Sequence, residues 1–520
     1  MTDFDVAIVG YGPAGMVLAN LLGQQGRRVI VLERYASLYH LPRAACFDDE
    51  TMRTFQKLGI SEQILPGTTV QRGYEWVNGQ GDTLLSIEYD DPGHSGWPQL
   101  YMMYQPHMES VLDKSARSWP TVEIRQGITV DQLDQFDDHV VVAGVNETGE
   151  RVSISAAYLV GADGGNGFVR PELGIEMDDY GFQENWLVCD FEMLGDVEVP
   201  SFRQICSPDQ PQSIVTIGPR HHRFSFMLDP SDDHEEATNP DNVWARVKRF
   251  ITPSDAKLVR VANYTFRSRI AERWRKHRVI LAGDSAHEMP PFLAQGMVSG
   301  IRDSRNLAWK LGLVLDGCSA DLLDTYQPER EPHVRFITEK AIELGRIQTM
   351  RDPAKAAERD ARMLAARRAN EKPEKIQFPP LRDGLVANHG GLFPQSHVVF
   401  EGRRLKFDDA IDADWVLVVR SEKMRDRLGD TSCKSFEALG GAIVSFAAEP
   451  GANVLGDSDG ILTRWFNENS AAAVIIRPDR YVYGITETAE NLDGLVGRLL
   501  DDLGIHSDNA TTNKAQEETV

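Results

Sequence analysis

Residues 5–34 read DVAIVGYGPAGMVLANLLGQQGRRVIVLER. An apolar run, a glycine-rich turn, a helix-periodic stretch and a second β-branched run, in that order, predict a βαβ unit. Gly10, Gly12 and Gly15 fall where the first strand hands over to the helix, with Pro13 and Ala14 between them. Backbone N–H groups and the positive helix end can receive a pyrophosphate at such a turn. Glu33 ends the second strand, with Arg34 beside it. A carboxylate there accepts hydrogen bonds from an adenosine ribose and repels a 2′-phosphate, so FAD or NAD fits and NADP does not. A glycine turn without a ligand is the simpler alternative, and the acid together with the spacing weighs against it.

The chain then alternates in character. DDETMRTFQKLGI carries acidic residues in a first helical turn and Gly59 at its end, YQPHMESVLDKSA reads as a further helix, and VEIRQGITV reads as a strand. From 181 to 270 the segments WLVCDFEML, SIVTIG and HRFSFML have the alternation of half-buried antiparallel strands. RVILAGD returns to a buried strand, followed by a long helix over MVSGIRDSRNLAWKLGLVL. The cofactor domain is therefore expected to be discontinuous, in the parts 1–75, 101–180 and 271–370, the last with long helices. Residues 76–100 and 181–270 form the inserted sheet. A charged helical stretch broken at Pro353 and a proline-rich linker at 371–395 lead to a compact α/β domain at 396–505 and a disordered polar tail at 506–520.

Bulk composition narrows the partners. The 520 residues are 42% hydrophobic and 26% charged, with a formal net charge of −23. Such a charge opposes binding to nucleic acid or an anionic membrane, and no apolar run approaches the roughly 20 residues of a membrane span. The N terminus lacks a signal-peptide pattern, so a cytoplasmic location is expected. Cys46, Cys189, Cys206, Cys318 and Cys433 are odd in number and never form CxxC, which argues against disulfides, a zinc site and dithiol chemistry.

Two later segments decide between dinucleotides. YLVGADGGNGFVR at 158–170 and RVILAGDSAHEMPPFLAQGMVSGIRDSRNLAWKL at 278–311 closely resemble the second and third fingerprints of the single-component flavoprotein aromatic hydroxylases. PRAACFDDETMRTFQ at 42, TYQPEREPHV at 325 and GGLFPQ at 390 are most similar to the 3-(3-hydroxyphenyl)propionate hydroxylase and phenol hydroxylase branch. The resemblance implies an α/β fold: a Rossmann-like FAD-binding domain of the p-hydroxybenzoate hydroxylase type, an inserted antiparallel-sheet substrate domain and a C-terminal thioredoxin-like domain. It implies FAD as cofactor, NADH or NADPH as co-substrate, and hydroxylation of a phenolic ring by dioxygen through a flavin hydroperoxide. Oxygenation or epoxidation of a polyketide-like or heteroaromatic substrate is the alternative within the same chemistry. A flavin-binding interaction protein without turnover is the alternative outside it, and a homodimer is the default assembly.

The resemblance also assigns site residues. Asp163 and Gly164 fall near the pyrophosphate, Gly283 and Asp284 at the ribityl chain, and Arg43 and Gln105 at the flank of FAD. For Asp163, a structural carboxylate capping a helix is an equal alternative. The stretch from Pro290 through Pro291, Gln295, Gly296, Met297 and Val298 falls at the flavin ring, where a helix starting near Met297 would aim N–H groups at the negative pyrimidine edge. Pro290 would offer its carbonyl at the oxygenated flavin carbon. Ala294, Val298, Gly167 and Cys46 depart from the residues usual in the family, and the departures at Ala294 and Val298 fall at the flavin ring and the substrate space. No base for the phenol stands out. His222 is the candidate, set by alternation on the face opposite His221 and Arg223, against the simpler reading of a satisfied sheet residue. Arg477, Pro478 and Asp479 read as a turn between strands.

Overall fold

The structure, a computed structural model, describes residues 2–229, 231–447 and 454–505. The polar tail expected at 506–520 lies outside the described residues. By compactness the chain forms two units. One is built from the chain up to Gly93, Trp97–Ser304 and Val334–Gln377, and the other from His94–Gly96, Arg305–His333 and the chain from Phe378 onward.

The first unit carries two large sheets. In the first sheet the strands run Arg275–Lys276, Val279–Leu281, Arg151–Gly161, Phe4–Val9, Val29–Glu33, Val122–Gln126. The strands from Val279–Leu281 to Val122–Gln126 are parallel neighbours, and the helix Pro13–Gln24 connects Phe4–Val9 to Val29–Glu33. This is the predicted βαβ unit. Strands buried on both faces read as unbroken apolar runs, and Val6, Ala7, Ile8, Val29, Ile30 and Val31 are all fully buried. VEIRQGITV, read as one strand, is two: Val122–Gln126 and Ile128–Gln135, parted by Gly127 at φ +75°. A left-handed residue cannot continue a strand.

The second sheet runs His287–Glu288, Ala256–Ala271, Met177–Met193, His221–Met227, Gln212–Thr216, Phe202–Ile205, Gly73–Val77, Thr83–Glu88. It contains the antiparallel strands expected between 181 and 270, extended by the hairpin from 73 to 88. Its two faces differ. Leu187, Cys189, Phe191, Ile214, Phe224 and Phe226 form a core with Val243 and Val247 of the helix Pro240–Val247. On the other face the register lines up one transverse row: Tyr74, Phe202, Val215, Arg223, Asp190, Arg260.

The second unit holds a seven-stranded sheet in which Val454–Gly456, Gly441–Ala447 and Trp415–Val419 are parallel, continued by antiparallel Ala473–Ile476 and Val482–Thr486. Helices Asp430–Ala438, Ile461–Glu468 and Leu492–Asp502 alternate with the strands, the thioredoxin-like arrangement. Alternating residues of Trp415–Val419 feed separate cores on its two faces. The turn read at Arg477–Asp479 is present but buried. Arg477 pairs with Glu329 at 2.6 Å and Asp479 at 2.7 Å, and Glu329 also holds the buried Lys310 at 2.8 Å. That cluster explains why Arg305–His333 groups with the C-terminal sheet.

Candidate active site

Three adjacent parallel strands, Phe4–Val9, Arg151–Gly161 and Val279–Leu281, end side by side, and each is followed by one of the glycine-acid segments. The chain packs tightly there. A Cβ on Gly10, whose φ is +103°, would lie 2.3 Å from the Ala162 carbonyl oxygen, and one on Gly15 would lie 2.3 Å from that of Gly10. Gly12 is different, since nothing lies within 4 Å of its missing side chain. No side chain caps the helix that begins at Pro13, so its first-turn N–H groups face open space beside Gly12. A backbone cradle with room above it and unpaired donors fits a pyrophosphate.

Glu33 accepts the Tyr11 N–H at 2.7 Å and the Tyr35 N–H at 3.0 Å, which ties the glycine turn to the end of the second strand. A carboxylate has about four acceptor positions, so capacity remains for a ribose. Arg34 is exposed, with its guanidinium over the Tyr35 ring. The Gln105 side-chain oxygen accepts the N–H groups of Arg43 and Ala44, its amide donates to Glu109, and Arg43 pairs with Glu109 at 3.0 Å. Gln105 thereby fixes the loop that carries Arg43.

Asp163 and Asp284 occupy matching motif positions with opposite surroundings. One Asp163 oxygen accepts the Val169 N–H at 2.9 Å and the other the Ser285 hydroxyl at 2.8 Å. Ser285 in turn accepts the Gly164 N–H. Asp284 has no protein hydrogen-bond partner among the described residues, and its side chain is exposed. Protein nevertheless encloses it, and burial is the main cause holding its carboxyl above the usual range. An accessible group enclosed by protein lines a concave recess. A ligand hydroxyl donating to Asp284 meets that need. The turn beneath is anchored by Asp303, which accepts the Gly283 N–H at 3.1 Å and pairs with the fully buried His287 at 2.6 Å.

Beyond it, Pro290 is buried and Pro291 exposed, and the turn closes with Ala294 in the left-handed region at φ 55°, ψ 31°. The helix Gly296–Leu315 starts one residue before the expected Met297. Its first bond runs from the Ser299 N–H to the Gln295 carbonyl, leaving Gly296, Met297 and Val298 without intrahelical acceptors. Arg302 donates to the Gln295 side chain and pairs with Asp48 and Glu50.

The face of the second sheet that bears the transverse row belongs to the same site. Cys46, Met102, Val215 and Ile217 form one buried cluster, with Ala294, Ala45, Leu100 and Phe202 packed against it. Burial pushes the Cys46 thiol up to about 12, so it is an apolar wall and not a nucleophile. At the other end of the row, Arg223 donates to Asp190 twice, to the Arg43 carbonyl and to the Pro42 carbonyl, and Arg260 joins Asp190 and Pro42. His222 is not brought to this face. It pairs in register with Phe191 and Thr216 on the helix-covered face, near the Pro200 carbonyl, and burial lowers its imidazole to about 4. The alternation expected for His221, His222 and Arg223 holds, and it sets His222 apart from Ala294 and Cys46. Sequence reasoning did not single out Tyr74, Phe202, Val215 or Ile217, whose only signal was β alternation.

Residues 3–341 match the FAD binding domain family, and residues 390–502 match the HcaD C-terminal domain. The chain belongs to the FAD-binding domain family and is an FAD-dependent aromatic hydroxylase. It is 58% identical over 501 residues to a probable NADH-specific resorcinol 4-hydroxylase of Rhodococcus jostii (strain RHA1), covering 95% of this chain and 94% of that one. It is 33% identical to a 3-(3-hydroxy-phenyl)propionate/3-hydroxycinnamic acid hydroxylase of Mycolicibacterium gilvum (strain PYR-GCK), covering 92% and 89%. The crystal structure of aklavinone-11 hydroxylase with FAD and aklavinone superposes with a TM-score of 0.80 at 25% identity, covering 96% of this chain and 99% of that one. Among the described residues, no helix is long and apolar enough to cross a membrane.

Proposed function

We propose that the protein hydroxylates a small uncharged phenol of the resorcinol kind, with NADH as the reductant. One observation carries the reading: every cation on the substrate-facing row is already committed. Arg223 uses its donors on Asp190, Pro42 and Arg43, and Arg260 on Pro42 and Tyr264, while Phe202, Val215 and Ile217 supply apolar wall. A substrate carboxylate buried here would lack a partner, which is costly. The relative that acts on resorcinol, at 58% identity, supports an uncharged ring, whereas the 33% relative acts on carboxylic acids.

In this reading Gly10, Gly12, Pro13, Ala14 and Gly15 hold the pyrophosphate, Glu33 and Arg34 flank the adenosine ribose, and Asp284 with Gly283 holds the ribityl chain. Arg43, Gln105, Asp163 and Gly164 shape the walls. Pro290, Pro291, Gln295 and the N–H groups of Gly296, Met297 and Val298 face the ring, whose negative pyrimidine edge the helix end favours. FAD, reduced by NADH, supplies the activation of dioxygen. The protein orients the phenol against it and excludes water. A cytoplasmic homodimer completes the reading, the dimer supported by the prevalence of two-fold assemblies. Residues 396–505 act as a packing module, since Cys433 is their sole cysteine.

Purified FAD-loaded protein is to be assayed for NADH and NADPH oxidation with resorcinol, phenol and 3-(3-hydroxyphenyl)propionate. The expected result is resorcinol-stimulated NADH oxidation with benzene-1,2,4-triol and water as products, one NADH and one dioxygen per triol. Oxygenation of the carboxylate-bearing phenol in preference to resorcinol overturns the reading.

A further inference from the structure

The row that carries Phe202 and Val215 continues past them to a phenolic end. Tyr74 stacks on Phe202 with ring centroids 4.0 Å apart and planes 21° from parallel. Tyr74 pairs with Ile87 across the hairpin, so Tyr89, two residues beyond, falls on the same side. Phe202 packs against the cluster of Cys46, Met102, Val215 and Ile217, as does Ala294 of the ring-facing turn, so the phenolic end borders that cluster.

Both tyrosines are only half-buried by accessibility, yet burial is the leading cause that raises each phenol. As at Asp284, this combination marks the wall of a recess rather than an outer surface. Each phenol stays protonated at neutral pH and acts as a neutral donor. Tyr89 has no side-chain hydrogen-bond partner among the described residues; only its backbone N–H is engaged, by the Arg72 carbonyl. Behind Tyr74 lies a second signal. Gln204 Nε2 and the Gln348 side-chain oxygen are buried without a partner, in residues 2% and 1% exposed. Trp76 and Gln204 are register partners, and the side chains of Trp76 and Gln348 adjoin the Tyr74 phenol. Buried polar atoms left open in one place call for a polar ligand or ordered water.

We propose that Tyr89 donates a hydrogen bond to one hydroxyl of the bound phenol, and that Tyr74, backed by Trp76, Gln204 and Gln348, receives a second polar substituent. This rests on the hydroxylase reading and adds to it the residues that recognise a diphenol. A hydroxyl paired to a neutral donor is held in place and its oxyanion is favoured, which raises electron density in the ring that is oxygenated. The role needs no titrating base on the protein, consistent with His222 lying on the opposite face.

The test is a cycle that removes hydroxyls from both sides. Wild type, Tyr89→Phe and Tyr74→Phe, each loaded with FAD, are titrated with resorcinol and with phenol, and the formation of triol from resorcinol and of diphenol from phenol is followed. Tyr89→Phe is expected to retain flavin content and melting temperature, to bind resorcinol about 10-fold more weakly, and to lose at least as much in kcat/KM, one hydrogen bond to a partly charged group. Exchanging resorcinol for phenol is expected to cost wild type and Tyr89→Phe alike and Tyr74→Phe less, because the hydroxyl that phenol lacks is the one Tyr74 receives. A Tyr74→Phe loss that is equal for both substrates, or wild-type behaviour in both variants, overturns the proposal and leaves the hydroxylase reading intact. A wild type that neither binds nor oxygenates resorcinol removes the hydroxylase reading and this proposal with it.

Discussion

GADGG at 161–165 and GDSAH at 283–287 both follow a parallel strand of the same sheet, and both carry an aspartate near the glycine. The protein uses them in opposite ways. Asp163 is consumed by Val169 and Ser285, so it ties one segment to the next. Asp284 is left without a partner in an enclosed recess, while Asp303 and His287 below it do the anchoring. A saturated carboxylate is architecture, and a carboxylate kept open at a cost to the folded chain remains able to accept from a ligand. The same contrast divides that face of the sheet, closed at Arg223, Asp190 and Arg260 and left without a side-chain hydrogen-bond partner at Tyr89 among the described residues.

The largest effect is expected beneath the open site. Asp303→Ala strands a buried His287 and the Gly283 N–H, and should cost about 3–5 kcal/mol in denaturant titration of the flavin-free protein. A loss under about 1 kcal/mol would mean that the pair does not hold the turn. Next, Asp284→Ala should weaken FAD binding by roughly 10- to 100-fold, the loss of a hydrogen bond to a charged group, with no loss of stability in the flavin-free protein. Normal FAD affinity in that variant removes the ribityl assignment.

The pH dependence of Asp284→Asn sharpens the point. A carboxyl raised in the folded state is destabilising once ionised, so the flavin-free asparagine variant should melt higher than wild type at neutral pH. That advantage should shrink as pH falls toward the ordinary aspartate range, where both folded and unfolded wild type are protonated. An advantage independent of pH would assign the effect to something other than ionisation. Asp163→Ala is expected to be milder, about 1 kcal/mol of stability from the lost cap, with FAD affinity within about threefold of wild type. If its affinity drops as far as that of Asp284→Ala, the two sites are not different after all. The smallest change is Ala294→Gly, which releases a left-handed alanine for a gain of up to about 1 kcal/mol and removes a methyl group from the Cys46 and Val215 cluster. Bulkier phenols should then bind with a lower KM, and unchanged selectivity would show that this methyl group does not bound the pocket.

Much of the cofactor side was legible because its signals are local. Strand, turn and helix follow within thirty residues, and a glycine at the handover says the same thing in sequence as in space. The carboxylate pair was less legible: nothing in GADGG or GDSAH reveals which aspartate finds Ser285 or Val169. The substrate face was least legible. Tyr74, Phe202, Val215, Arg223 and Asp190 come from well-separated stretches, and only strand register makes them neighbours. Alternation correctly sets His222 opposite Arg223, but period two does not say which face a helix will cover. The burial of Arg477 and Asp479 escaped notice for a related reason, since a turn composition describes backbone and not what packs on it.

The loop at Pro42 and Arg43 is held by Arg223, and three residues later Cys46 roofs the apolar pocket. Strands lie about 4.8 Å apart, so Asp190 is roughly 14 Å along the sheet from Phe202. The sheet therefore works as a caliper, with one jaw set by a buried ion cluster and the other by the Cys46 and Val215 cluster. Substitutions at Asp190 would alter which phenols fit without touching any of them, and ring size could drift in relatives while the wall residues stay the same.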